Sequence, residues 1–170
     1  KKLNLITLKD SVLAEDSAGN IFKSEIASYD EKLKIFKSIG KTLITTNEGS
    51  VITTQNILLN INKKIARSNE VTTVTDLQNN EIFLQNFEYQ TSKNIFKSIG
   101  KIKIIDRLNN SYEFSQVYIN EKNKEIVGSD SKIYFNQQDF KENKNNKPRI
   151  FSNTVNITED QSKFVKSTFT

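Results

Sequence analysis

Apolar and polar residues alternate along this chain in stretches of about ten, each cut by a polar turn. Ala27-Ser28-Tyr29, Ile57-Leu58-Leu59, Phe87-Glu88-Tyr89 and Val117-Tyr118-Ile119 hold corresponding places. A period of two puts every second side chain on one face of an extended strand, and helical spacing is sustained nowhere. One family of turns comprises Asp16-Ser17-Ala18-Gly19-Asn20, Thr46-Asn47-Glu48-Gly49-Ser50, Asp76-Leu77-Gln78-Asn79-Asn80 and Asp106-Arg107-Leu108-Asn109-Asn110. These turns recur every 30 residues, with Gly19, Gly49, Asn79 and Asn109 in register. Gly and Asn tolerate the positive φ that a tight turn demands. A second family falls midway, at residues 30–32, 60–63, 90–94 and 120–123. The heptapeptide Ile35-Phe36-Lys37-Ser38-Ile39-Gly40-Lys41 returns letter for letter as Ile95 to Lys101, 60 positions on.

The unit is therefore a 30-residue hairpin, repeated at 17–46, 47–76, 77–106 and 107–136. Residues 1–16 read as the second half of an earlier unit. Residues 137–149, with Lys-Glu-Asn-Lys-Asn-Asn-Lys and the sole proline, Pro148, read as an exposed loop. Strand character resumes over 150–157 and 163–169, so residues 150–170 form a last partial unit. The expectation is a single all-β domain, an antiparallel meander of about 10–11 strands. At ~4.8 Å per strand the stack is on the order of 50 Å long.

Read down the repeat, five columns stay apolar. They are Phe22, Ile52, Ile82 and Tyr112; Ala27, Ile57, Phe87 and Val117; Tyr29, Leu59, Tyr89 and Ile119; Phe36, Ala66, Phe96 and Ile126; and Ile44, Val74, Ile104 and Tyr134. Beside the Phe36 column runs a column of small residues, Ser38, Ser68, Ser98 and Gly128. Two readings follow. The columns bury a closed core, as in any β-sandwich, or two curved sheets share an apolar interior that stays open along one side. In the second reading the small residues leave a trough for lipid chains. Basic columns, Lys37, Arg67 and Lys97 with Lys41 and Lys101, would then rim it for anionic head groups or simply be solvated strand faces. Gly40 and Gly100 would let the strand bend. A meander also has two open edges, and a bare edge strand pairs with another chain. Leu3, Leu5 and Ile6 mark the N-terminal edge as the candidate partner strand.

Composition narrows the chemistry. The 170 residues include no Cys, His, Met or Trp. That removes thiol nucleophiles, imidazole bases and soft metal ligands, and leaves no disulfide to form. Carboxylates such as Asp30, Asp76, Asp106, Asp130 and Asp160 lie at turns or polar strand positions, with no pair marked as facing another. There is no phosphate-binding glycine loop. No catalytic residue, metal or cofactor is expected. The net charge of +5 is modest and dominated by Lys. The aromatics sit in the apolar columns and Arg is scarce, which argues against nucleic acid as a partner. No run of 18 apolar residues spans a membrane as a helix.

The pattern of apolar-x-Tyr-Asp, turn, apolar-Phe/Ala-x-Ser-x-Gly-Lys-apolar resembles the OstA family of lipopolysaccharide-transport proteins. Ile26-Ala27-Ser28-Tyr29-Asp30 with Ile39-Gly40-Lys41-Thr42-Leu43, and Phe87-Glu88-Tyr89 with Ile99-Gly100-Lys101-Ile102, carry the likeness across almost the whole chain. Lys41 and Lys101 stand where the family often has Asn, and Asn69-Glu70 replaces Ile-Gly in the second unit. The tail, Ile157 to Asp160 and Lys163 to Thr170, resembles the segment that leads from a periplasmic N-terminal domain into an outer-membrane barrel. The resemblance implies an open, twisted β-jellyroll at the periplasmic face of the outer membrane, within a longer chain. It implies that the apolar columns line a groove for the lipid A acyl chains of lipopolysaccharide. It implies as partners a homologous β-jellyroll bridge protein paired at the N-terminal edge, the chain's own barrel and that barrel's plug lipoprotein. A soluble bridge or an anchored partner of the same pathway is the alternative, and a structural β-repeat with a closed core is another.

Overall fold

A computed structural model describes residues 5–136 and 148–170. The described residues form β1 (Leu5–Glu15), β2 (Ile21–Asp30), β3 (Ile35–Thr45), β4 (Val51–Gln55), β5 (Leu58–Asn60), β6 (Ile65–Ser68), β7 (Thr72–Thr75), β8 (Glu81–Leu84), β9 (Phe87–Gln90), β10 (Ile95–Ile105), β11 (Ser111–Asn120), β12 (Glu125–Tyr134), β13 (Arg149–Ile157) and β14 (Ser162–Phe169), with no helix among them. All pairings are antiparallel, and the repeat sets their register. Phe22 faces Ile44, Ile52 faces Val74 and Ile82 faces Ile104, each pair being the one before advanced by 30 positions. Three strand positions are interrupted midway, giving β4 and β5, β6 and β7, and β8 and β9. Counting each broken pair as one strand, fourteen less three leaves eleven, within the 10–11 that the pattern predicts. The expected loop lies mostly in residues 137–147, outside the described residues, while Arg149 already belongs to β13.

The interruptions form a row. Where β1, β2 and β10 run through it unbroken, their pairing slips by a residue instead, between Lys9 and Val12, Ser24 and Ile26, and Ile99 and Ile102. Gly40 and Gly100 sit in this row at φ +77° and +115°, the left-handed region where a side chain is strained, so the glycines of the heptapeptide do turn the strand. The result is a fold in the sheet itself. A straight ten-residue strand spans about 33 Å. Yet turns from opposite strand ends touch: Thr46 Oγ1 donates to Glu121 Oε1 at 2.9 Å, and Asn94 Nδ2 to Glu48 Oε1 at 2.8 Å. The sheet has doubled over along its row of corners, and the alternating side chains of both halves face one core, as Phe36, Ser38, Thr42 and Ile44 do in β3.

Because β3 and β10 run through both halves, the pairing closes on itself. The path β10-β8-β7-β4-β3-β5-β6-β9 returns to β10, an eight-stranded barrel, with β1 and β2 continuing the sheet on one flank and β11 to β14 on the other. The all-β, antiparallel class is as the alternation predicts, but the centre of the sheet is closed. Among the described residues β1 pairs only with β2 and β14 only with β13, so neither outer edge has a second partner strand there.

Column five is corrected in its last member. β3 and β10 spend three residues on the corner between inward-facing Ser38 and Thr42, or Ser98 and Ile102, whereas β12 spends two, between Gly128 and Ser131. A one-residue change of phase flips each later side chain to the other face. Ile133 therefore takes the inner place opposite Tyr112 at 1% exposure, and Tyr134 turns outward to meet the edge of the Phe151 ring.

Candidate ligand cavities and a polar clasp

Each Asp of the first turn family folds its own turn. Its Oδ1 accepts the backbone N–H two and four residues on, as from Gln78 and Asn80 to Asp76 at 2.8 and 2.9 Å. The Asn at the fifth position returns a side-chain bond, Asn80 Nδ2 to Asp76 Oδ2 at 2.6 Å and Asn110 Nδ2 to Asp106 Oδ2 at 2.8 Å. Its other atom reaches the next unit. Asn20, Asn80 and Asn110 each accept, at Oδ1, the backbone N–H of Asn47, Arg107 and Asn136. In the second family the backbone makes the same stitch: Ile61, Thr91 and Glu121 donate to the carbonyls of Lys34, Lys64 and Asn94. Both rims of the folded sheet are thereby laced along their length.

Midway, the two rims are joined to one another. The Tyr89 ring is fully buried and stacks on Phe96 with centroids 4.2 Å apart. Its hydroxyl lies 3.1, 3.3 and 3.5 Å from Asn94 Oδ1, Asn20 Oδ1 and Glu121 Oε2, three oxygens for one proton. Thr46 and Asn94 complete this clasp through their bonds to Glu121 and Glu48. Burial is the main cause that raises the Glu121 carboxyl above its ordinary value, and nearby Glu48 adds to it. The Tyr89 hydroxyl is pushed far up by burial and then by Glu121.

Among the described residues, two half-open cavities indent the roll. The smaller, of about 330 Å³, has an apolar lining that includes Ile6, Leu8, Ala14, Tyr29, Phe36, Leu59 and Ile61, with Glu15, Asp16 and Lys64 at its edge. The larger, of about 470 Å³, has Val74, Ile82, Phe96, Ile104, Tyr112, Ile119 and Ile126 on its floor. Thr91, beside the clasp, borders the first, and Glu48 and Glu121, within it, border the second.

The column residues are thus divided. Tyr29, Phe36 and Leu59 reach the smaller cavity, and the seven residues just named reach the larger. Phe22, Ala27, Ile44, Ile52, Ile57, Ala66, Phe87 and Val117 are packed into the core and line neither. Tyr89 belongs to the clasp and Tyr134 to the outer face. Among the edge residues, Leu5 and Ile6 are exposed on β1, and Leu3 lies outside the described residues.

Two expectations about neighbouring columns change. The buried serines do not leave a trough. Ser98 Oγ donates to the Asn86 carbonyl at 2.6 Å, Ser68 Oγ to that of Gln55 at 2.7 Å, and Ser38 Oγ accepts Ile57 N–H at 2.9 Å. Each satisfies a backbone group that a strand break or corner has freed from the ladder. At Gly128 the space is filled by the Phe114 ring. The basic columns do not rim the interior either: Lys37, Arg67 and Lys97 alternate with inward residues and are exposed on the outer face, and Lys41 and Lys101 are also exposed. The clasp was not foreseen. Its one sequence signal is the Asp–Asn pair four residues apart in three of the first-family turns. Nothing along the chain marks Glu48, Asn94 and Glu121 as meeting.

Among the described residues no group of three or more carboxylates is placed to hold a metal ion. The fold and its cavities define an all-β roll with two half-open cavities, each with apolar residues on its floor and charged residues at its edge. No family model matches the chain, and no curated protein matches it in sequence.

Proposed function

We propose that this protein is a non-catalytic carrier of hydrocarbon chains, one segment of a lipid conduit. The observation that carries this reading is the pair of apolar cavities, whose floors are built from the repeated columns and which are set one after the other along the sheet. Covering an acyl chain there is worth roughly 25 cal/mol per Å² of apolar surface, and the near-equivalence of the units keeps any one position from trapping it. The resemblance to the OstA family supplies the finer form of the proposal. The cargo is lipopolysaccharide, received from a jellyroll bridge protein that pairs with edge strand β1 and passed to an outer-membrane barrel of the LptD type. The jellyroll of that proposal opens where the clasp now joins its rims, because a chain crossing from one cavity to the other has to part them.

One observation favours a second reading. The middle of the roll is filled, with Ala27, Ile44, Ile52 and Ala66 at 0% exposure, which suits a structural β-repeat with a closed core. A photoreactive phenylalanine analogue placed singly at Phe36 and Ile104 decides between them when the protein is irradiated with lipopolysaccharide or a mixed acyl-lipid extract. Lipid adducts at both positions, and none at outward Lys23, are expected. Adducts at Lys23 alone, or none anywhere, overturn the carrier.

A further inference from the structure

The mouth of the larger cavity carries a charge opposite to that of the protein. Its lining brings Glu48, Asp76, Asp106, Glu121 and Glu159 together with only Arg107 and Lys124. Five carboxylates against two cations leave three negative charges at one opening, on a chain whose net charge is +5. Lys124 and Glu159 offset one another as an ion pair at 2.6 Å, which leaves Glu48, Asp76, Asp106 and Glu121 facing Arg107 alone. Asp76 and Asp106 are held by the turns they fold, so their carboxylates cannot swing away. The cavity's volume falls in the range of small-molecule sites, and the apolar tips of Leu77 and Leu108 overhang it, both exposed.

We infer that the larger cavity binds single-chain amphiphiles with a cationic head group, the tail on the Ile82–Phe96–Ile104–Ile119 floor and the ammonium among the rim carboxylates. This rests on the reading that the interior holds hydrocarbon chains. It parts from the sequence resemblance over the head group, because an anionic lipid would meet like charge at the opening. Burial and then Asp106 push the Tyr112 hydroxyl up, and burial, with Glu48 adding to it, raises the Glu121 carboxyl.

Three probes with the same C12 tail test the inference by calorimetric titration below their micelle concentrations near neutral pH: dodecylammonium, dodecyl maltoside and dodecanoate. Dodecylammonium is expected to bind about tenfold more tightly than dodecanoate at low salt, with the maltoside between. The spread should close as sodium chloride screens the rim. Glu48→Gln and Glu159→Gln should each narrow the preference. Ile157→Trp, which fills this cavity, should abolish it, while Leu8→Trp in the smaller cavity leaves it. Dodecanoate binding as tightly as dodecylammonium, or an unchanged preference in both Gln variants, overturns the cationic assignment and leaves the carrier standing. If none of the three probes binds, the carrier reading falls as well.

Discussion

At the scale of single residues, the protein's small side chains are fitted to particular neighbours. A Cβ added at Gly128 would lie 2.2 Å from Phe114 Cδ1, well inside contact distance, and Phe114 is itself buried at 5% exposure. Gly128→Ala should therefore cost about 1–3 kcal/mol in urea unfolding. Phe114→Leu placed in the same chain should recover part of that loss, because the ring is the obstruction. The serines at the equivalent place have a different task, which explains why one column tolerates both residue types. Where the adjoining strand is broken or cornered, a hydroxyl is needed to satisfy the freed backbone group. At β12, whose neighbour β11 is continuous, none is needed and an aromatic ring occupies the room.

The element is the hairpin unit, and its stability lies as much in the turns as in the strands. Asn110, 6% exposed, joins Asp106 within its own turn to the Asn136 backbone beyond it. Asn110→Ala leaves both partners short of a bond and should cost about 1–3 kcal/mol by urea unfolding. Asn109, exposed and at φ +62°, should accept Gly with no loss. The unit itself was plain in the sequence, because period-two alternation and left-handed turn residues are local signals, and each copy repeats them. The phase beyond β12 was not. Whether a corner takes two residues or three depends on how the strand meets its neighbours, and aligning Tyr134 with Ile104 by position alone assumed that all corners are alike. The work of Ser38 and Ser98 was hidden for the same reason, since the bonds they make cross to a different strand.

For the whole molecule, closure is the property the sequence withheld. Alternation says which face of a strand is apolar, but a flat, curved or doubled sheet shows the same alternation. The contacts that double this one join Thr46 to Glu121 and Glu48 to Asn94, residues far apart in the chain. Glu121 makes that closure sensitive to pH. Its carboxyl is raised when folded, so between the ordinary value of 4.5 and the raised one the folded protein holds the extra proton. The stability it contributes is present below that window and is lost as pH rises through it. Thermal melting from pH 4 to 8 should show this decline, and Glu121→Gln, which keeps an acceptor for Thr46 without the charge, should flatten it and raise the midpoint at neutral pH. An unchanged slope in the variant would place the sensitivity elsewhere. The two-residue corner of β12 also acts on this scale. Upstream of it, every unit is in step with the last, and nothing in the pairing itself would limit how many could follow. Downstream, a fifth identical hairpin would enter half a period out, with its apolar face toward water. One omitted residue thus ends the strict 30-residue repeat, and β13 and β14 extend the sheet beyond it in a register of their own, with Val155 turned inward and fully buried.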